Sequence, residues 1–156
     1  MTYYYLGWCL TQGKLSGAEQ AFADAAQACS DYCFPNRLEA ILALQCAMEQ
    51  NPNDAKAPYY LGNLYYDKRQ YDLALEAWET SAKLDDKFPT IWRNLALANF
   101  NKKNEEARAI EYMERAFRLD KTDARVLMEL DQLYKRVRRS HAERLAFLQQ
   151  YPELIA

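Results

Sequence analysis

The chain has 156 residues, of which 50% are hydrophobic and 27% are charged, with only 4 glycines and 5 prolines. This length suits one compact domain or one short solenoid, and the abundant Ala, Leu, Glu and Lys favour helices because they lose little side-chain freedom there. The net charge of -2 is too small to indicate a partner such as nucleic acid or an anionic membrane, and no apolar run approaches the ~20 residues of a membrane span.

The chain opens on an aromatic helical pattern. The first predicted helix spans residues 3–12 and follows Met1 without a capping residue or polar lead-in. No cationic segment precedes it, so we predict no signal peptide. Because repeat arrays usually begin with a polar capping element, we expect either a segment of a longer protein or a helix that packs on another domain or copy. Its aromatic side chains are Tyr3, Tyr4, Tyr5 and Trp8.

All four cysteines lie in the first third of the chain. A secreted disulfide framework is normally short, rich in loops and punctuated by Gly and Pro, unlike this sequence. We therefore expect reduced thiols in a cytoplasmic protein, where free cysteine packs as a small apolar residue. Their spacing differs from that of zinc sites, so we predict no metal. They are Cys9, Cys29, Cys33 and Cys46.

A helix is predicted at 36–50, after one at 15–29. It begins near Pro35, since proline is favoured in a first helical turn, and Leu38, Ile41 and Leu42 keep helical spacing. The helices on either side pair with other partners, so we predict that this one is an unpaired extra helix.

Two helix pairs repeat each other in the centre of the chain. Residues 61–66 match 95–100 at an offset of 34, and 74–79 match 109–114 at an offset of 35, which places one extra residue in the turn at 101–108. Small residues occur where two helices must approach closely, and large apolar residues fill the remaining space. The small ones are Gly62, Ala74, Ala96 and Ala109; the large ones include Leu61, Tyr65, Trp78, Trp92, Leu95 and Phe117.

Weaker copies flank this centre, at 3–29 and 124–150. The last copy has lost most of its small residues and is strongly charged. A solenoid end needs such a repeat because its outer face meets water. The predicted helices span 3–12, 15–29, 36–50, 55–67, 71–84, 89–101, 105–119, 123–137 and 141–149.

This pattern resembles the tetratricopeptide (TPR) family, most clearly over 55–123. The resemblance implies an all-α fold, a right-handed α-solenoid of helix-turn-helix repeats with one concave surface. Pro58 departs from the family by replacing its usual aromatic residue, and Asp86 and Lys121 replace its repeat-ending proline. We predict one solenoid over 1–156, made of a degenerate repeat at 1–34, the extra helix at 35–54, repeats at 55–88 and 89–123, and a degenerate capping repeat at 124–156.

A further resemblance concerns residues 51–63, 88–96 and 123–127. They look like the C-terminal repeats of large bacterial multidomain proteins that carry an N-terminal β-rich domain of unknown function. That resemblance implies that the partner is another domain of the same parent protein.

The sequence does not bring catalytic groups together. The one histidine, His141, starts a predicted helix far from every cysteine, and no glycine-rich phosphate loop occurs. A basic run at 135–139 could contact phosphates beside Tyr134, but cations at a helix end also complement the helix dipole, and that interpretation is favoured. We predict no enzyme activity, no cofactor and no nucleic-acid or membrane partner.

The resemblance implies that the first helix of each repeat lines the inner surface. There, asparagine side chains can donate to and accept from an extended peptide backbone, although solvated amides are an equally good interpretation. The candidate lining residues are Lys56, Tyr59, Asn63, Tyr66 and Asp67, then Thr90, Arg93, Asn94, Leu97 and Asn101, then Arg125, Met128 and Gln132.

Some family members clamp the C-terminal carboxylate of a peptide with five such positions. Asn63, Asn94 and Arg125 match three of them, but Tyr59 and Glu129 replace a lysine and an arginine. A carboxylate that faces the carboxylate of a ligand weakens binding, so chaperone-tail recognition is not favoured.

These observations predict a protein–protein interaction scaffold that binds a peptide or a sibling domain in its concave groove. The alternative is a structural module that forms a homo-oligomer through the aromatic first helix and has no groove ligand.

Overall fold

The computed structural model describes residues 1–30 and 33–155. Over these ranges the chain is all-α, with nine α-helices, one π-helical segment, one 3-10 turn and no strand. None of the helices described is long and apolar enough to cross a membrane. The α-helices are α1 (Thr2–Gln12), α2 (Ala18–Gln27), α3 (Glu39–Gln50), α4 (Lys56–Asp67), α5 (Tyr71–Leu84), α6 (Pro89–Ala98), α7 (Glu106–Leu119), α8 (Ala124–Arg136) and α9 (His141–Leu148).

Two helices begin three residues later than predicted, α2 at Ala18 and α3 at Glu39 rather than near Pro35. A further difference from the predicted helices follows α6. The chain continues as a π-helical segment at Asn99–Lys103, and Asn104 ends it in the left-handed region with φ 58°. A π turn accommodates one residue more than an α turn, and asparagine tolerates positive φ better than most residues. The extra residue predicted in this connection is therefore taken up at the end of the helix.

The chain forms two compact units, Met1–Asp86 and Lys87–Ala156. In the first unit, α1 pairs with α2 and α4 pairs with α5, while α3 packs against both α1 and α4. Two glycines make the pairings close. A Cβ atom on Gly7 would lie 2.6 Å from Cε1 of Phe22, and a Cβ atom on Gly62 would lie 2.4 Å from Cδ1 of Trp78. Only glycine allows the aromatic rings to occupy these positions.

The core of the first unit also holds a buried polar link. The hydroxyl of Tyr4 donates to Oδ2 of Asp54 at 2.7 Å, and the backbone N–H of Lys56 donates to Oδ1 at 2.8 Å. Tyr4 is therefore a core residue, which corrects its expected place among the docking residues of α1. Burial and the adjacent Asp54 carboxylate raise the pKa of the Tyr4 hydroxyl above its ordinary value.

In the second unit, α6 pairs with α7, and α8 packs against α7 and α9. The indole of Trp92 lies beside the ring of Tyr112, with centroids 5.3 Å apart, and the guanidinium of Arg115 lies 3.8 Å above the indole. Beyond α9, Pro152–Leu154 forms the 3-10 turn, and Tyr151 packs on Phe117 at 4.8 Å. The last turn of the described chain is thus held against this unit by ring contacts.

Candidate peptide-binding surface

The candidate lining residues of the first unit lie on α4, where several of them serve the packing of the unit. Nζ of Lys56 donates to the backbone carbonyl of Ala28 at 2.5 Å, just beyond the end of α2. Tyr59 is buried, with its ring 5.2 Å from that of Tyr60. Burial leaves Tyr59 little surface for a ligand, contrary to its expected place on an accessible face.

Two of the other three α4 candidates, Asn63 and Tyr66, contact α5. Oδ1 of Asn63 accepts a hydrogen bond from Nε1 of Trp78 at 3.1 Å, and the ring of Tyr66 lies 5.4 Å from the indole and 5.1 Å from Tyr71. Both side chains are half-buried. They position the second helix of the repeat and keep part of their surface accessible.

In the second unit, a charged pair joins two first helices. Nε of Arg93 on α6 donates to Oε2 of Glu129 on α8 at 2.6 Å, and Nη2 donates to Oε1. Both side chains are 20% exposed. This two-bond geometry fixes the spacing and orientation of the helices more firmly than a single contact does. The negative charge of Glu129 is therefore balanced by the positive charge of Arg93.

Around this pair, α6 and α8 present further candidate residues. Leu97 lies one turn after Arg93 and is half-buried, as is Asn94. On α8, Arg125 and Gln132 are exposed, and Met128 between them is 59% exposed. Because residues three and four apart share a helix face, the candidates on each helix cluster about the charged pair. We call this the α6–α8 surface, formed by Arg93, Asn94, Leu97, Arg125, Met128, Glu129 and Gln132.

A cleft of about 460 Å³ borders the α6–α8 surface along α8. Its floor is apolar, and its one carboxylate, Asp131, accepts two bonds from Arg144, at 2.8 Å from Nε and 2.5 Å from Nη2. This bonding also raises the pKa of the Arg144 guanidinium. The cleft is lined by Ala124, Arg125, Leu127, Met128, Asp131, Leu148, Leu154 and Ile155.

Arg125 and Met128 belong to both the cleft and the predicted lining. The sequence pattern did not reveal the cleft, because Leu154 and Ile155 lie beyond the last predicted helix and have no periodic partner. The one indication of the cleft in the sequence is that Leu154 and Ile155 are apolar, although they lie in the repeat predicted to be the charged end of the solenoid.

The basic run at 135–139, which begins in the last turn of α8, contacts its own unit through Arg139. Tyr134 is buried, and its hydroxyl donates to Oε1 of Glu114 at 2.8 Å. The guanidinium of Arg139 lies 3.7 Å above the Tyr134 ring and 3.6 Å from the same carboxylate. Tyr134 therefore has no free face on which a base could stack, so the basic run lacks the stacking partner considered for it.

The one histidine of the chain, His141, is exposed at the start of α9. No three His, Cys, Asp or Glu side chains of the described residues converge as metal ligands. The α6–α8 surface and its cleft can offer apolar contact, amide hydrogen bonds and one exposed guanidinium.

Residues 62–103 match a family model for the TPR repeat. MamA from Desulfovibrio magneticus RS-1 has a similar structure, with a TM-score of 0.63 and 20% identity, over 97% of this chain and 73% of the MamA chain. The Yersinia enterocolitica type III secretion chaperone SycD, solved with a peptide of the translocator YopD, gives 0.58 and 20%, over 86% of this chain and 92% of SycD.

The first TPR domain of Spaghetti (RPAP3), bound to the HSP90 peptide SRMEEVD, gives a TM-score of 0.57 and 15% identity, over 65% of this chain and 82% of that domain. Identities this low establish the fold alone, and they confirm the predicted all-α repeat class. Residues 62–103 therefore match the tetratricopeptide repeat in sequence, and the wider chain shares the all-α fold of these structures.

Proposed function

We propose that the chain is a non-enzymatic protein-interaction scaffold that holds an extended protein segment on the α6–α8 surface. The observation that carries the proposal is the continuity between the predicted lining and the cleft, which share Arg125 and Met128. The segment comes from a separate protein or from a sibling domain of a longer parent chain, in the cytoplasm.

The chemistry of the surface defines the segment. One aliphatic or aromatic side chain fits the apolar cleft, and its burial contributes about 1.5–3 kcal/mol. The exposed guanidinium of Arg125 favours a carboxylate next to that anchor, and the amide of Gln132 can bond a peptide backbone in either direction. Glu129 is already paired with Arg93, so it does not repel the acidic group strongly.

Proteins of the same fold support this proposal. The structures of SycD and of the RPAP3 TPR domain each contain a peptide, from YopD and from HSP90 respectively. A helical-repeat surface that holds a peptide is therefore compatible with this architecture.

The proposal is tested by selecting a display library of random peptides on the wild-type chain. Binding of the selected peptides is then measured by fluorescence polarisation to Met128→Lys and Arg125→Glu. We expect each substitution to weaken binding about tenfold or more, since a lost anchor or charged contact is worth roughly 1.5–3 kcal/mol.

Matched controls change the same chemistry elsewhere in the second unit. Leu145→Lys alters an exposed apolar residue of α9 and Arg118→Glu an exposed arginine of α7, and neither should change the affinity. Selected peptides that bind both test variants as tightly as wild type would place the binding surface elsewhere.

A further inference from the structure

The α6–α8 surface contains two guanidinium groups in different surroundings. Arg125 on α8 is exposed. Arg93 on α6 donates from both Nε and Nη2 to the carboxylate of Glu129, and its side chain is 20% exposed. Two parallel bonds of this kind are also the geometry in which an arginine binds the carboxylate of a ligand. Glu129 therefore occupies the place at Arg93 that a ligand carboxylate would take.

A ligand carboxylate competes poorly with Glu129 for this place. Glu129 is attached to α8, so its pairing with Arg93 does not cost the translational freedom that a ligand loses on binding. The side chain of Glu129 is also only 20% exposed. A ligand that displaced it would leave a largely buried carboxylate without its partner, which is unfavourable.

The position of Glu129 next to Arg125 limits how much negative charge the surface can accept. The two residues are four apart on α8, so they share one side of the helix, with Cβ atoms roughly 5–6 Å apart. One ligand carboxylate at Arg125 is tolerated, because the charge of Glu129 is balanced by Arg93. A second ligand carboxylate beside the first would lie close to Glu129, and the residues that form the surface offer it no further cation.

We propose that Glu129 determines the specificity of the α6–α8 surface by occupying its second carboxylate place. This inference rests on the proposed function, because it specifies which extended segments the surface holds. The partner segment carries one acidic residue beside its apolar anchor. Segments with two adjacent carboxylates, from two side chains or from a side chain and a C-terminus, bind less tightly.

Glu129→Gln tests the proposal by removing the charge while retaining the shape of the side chain. Its amide oxygen can still accept from Arg93, so α6 and α8 should keep their spacing. Peptides are selected from one random display library on wild type and, separately, on Glu129→Gln. We expect the peptides selected on Glu129→Gln to contain an additional carboxylate and to bind that variant about tenfold more tightly than wild type, since a hydrogen bond to a charged group contributes about that much.

A double-mutant cycle assigns this difference to one pair of groups. Replacing the additional Glu or Asp of such a peptide with Gln or Asn should remove the difference in affinity between the two proteins. Glu111→Gln removes an exposed carboxylate on α7 and controls for the change in net charge, so it should bind these peptides as wild type does. Far-UV circular dichroism checks that each variant is folded.

A second measurement needs wild type alone. In a peptide selected on wild type, a neutral residue next to its acidic residue is replaced with Glu, and we expect weaker binding by fluorescence polarisation. Unchanged or tighter binding of that peptide would overturn the proposal. Failure of Glu129→Gln to select an additional carboxylate, or equal affinity of its peptides for both proteins, would also overturn it. These outcomes leave the proposed function intact, which fails instead if the selected peptides bind Met128→Lys and Arg125→Glu as tightly as wild type.

Discussion

Single residues set how closely the helices of a repeat approach. Gly62 lies so close to the indole of Trp78 that a Cβ atom at this position would overlap the ring. The same indole is held by hydrogen bonds from its Nε1 to Oδ1 of Asn63 and to the carbonyl of Tyr59. The ring cannot move aside without losing these bonds, so the glycine is required by packing.

Gly62→Ala should therefore destabilise the chain by about 1–3 kcal/mol, because the steric cost exceeds the ~1 kcal/mol that alanine gains over glycine in a helix. The free energy of unfolding in urea measures the effect. Gly13→Ala is the control, since Gly13 is exposed, has φ −76°, and leaves its nearest neighbour 3.3 Å from a Cβ atom. In a Trp78→Leu background the cost should shrink, and an unchanged cost there would show that the indole is not its cause.

The bond from Tyr4 to Asp54 links α1 to the residues that precede α4. Tyr4→Phe removes the donor and leaves a buried carboxylate oxygen unsatisfied, so the free energy of unfolding should fall by about 1–3 kcal/mol. Tyr3→Phe, on the exposed side of the same helix, should have almost no effect on stability. Equal stability of the two variants would mean that the Asp54 oxygen finds another donor.

Among the α-helices described, α9 is the one in which no residue is buried, so local interactions at its start contribute to its stability. It begins with a capping box. Oγ of Ser140 accepts from the backbone N–H of Glu143 at 3.3 Å, and Oε2 of Glu143 accepts from the backbone N–H of Ser140 at 2.9 Å. The bonds from Ser140 hold the pKa of Glu143 below its ordinary value.

Ser140→Ala should loosen α9 by about 1 kcal/mol, which corresponds to roughly fivefold faster amide exchange in that helix. Native-state hydrogen exchange read residue by residue measures this. Amides of α4 and α5 should be unaffected, because their helices belong to the other compact unit. Ser16→Ala, in the exposed turn before α2, controls for the loss of a hydroxyl. Uniform acceleration across all helices would show that α9 does not open by itself.

At the scale of the whole molecule, we expect three buried tyrosines to make the free energy of unfolding fall at alkaline pH. Burial is the main cause that raises the pKa values of Tyr4, Tyr60 and Tyr134, assisted by Asp54, Cys33 and Glu114 respectively. In the unfolded chain a tyrosine titrates near pH ~10. Above that pH the unfolded state loses protons that the folded state keeps, so the stabilisation is complete below pH ~10 and declines as the pH rises further.

Urea unfolding at about pH 8.5 and about pH 11 measures this decline, which can reach ~1.4 kcal/mol per pH unit for each such tyrosine. Tyr4→Phe should lose less stability between the two pH values than wild type does, although it starts lower. Tyr3→Phe should decline as wild type does. An identical decline in the Tyr4→Phe variant would remove Tyr4 from the explanation.

The sequence alone determined the two helix pairs of the central repeats and the positions in them that must be small. These are local properties, since helical period and the spacing of Gly62 from Trp78 are written in consecutive residues. The offset of 35 between the second helices also predicted one inserted residue, which the structure accommodates in the π-helical segment Asn99–Lys103.

Only the tertiary structure decided which candidate side chains are accessible. A sequence period identifies the face of a helix, but it cannot say which neighbour covers that face or which distant charge pairs with it. In the structure, Tyr59 is buried and Arg93 forms an ion pair with Glu129. The cleft beside α8 is completed by Leu154 and Ile155, which lie against that helix. The sequence predicts the repeat because the repeat depends on residues close together in the chain. The sequence does not predict the binding surface, because that surface depends on contacts between distant residues.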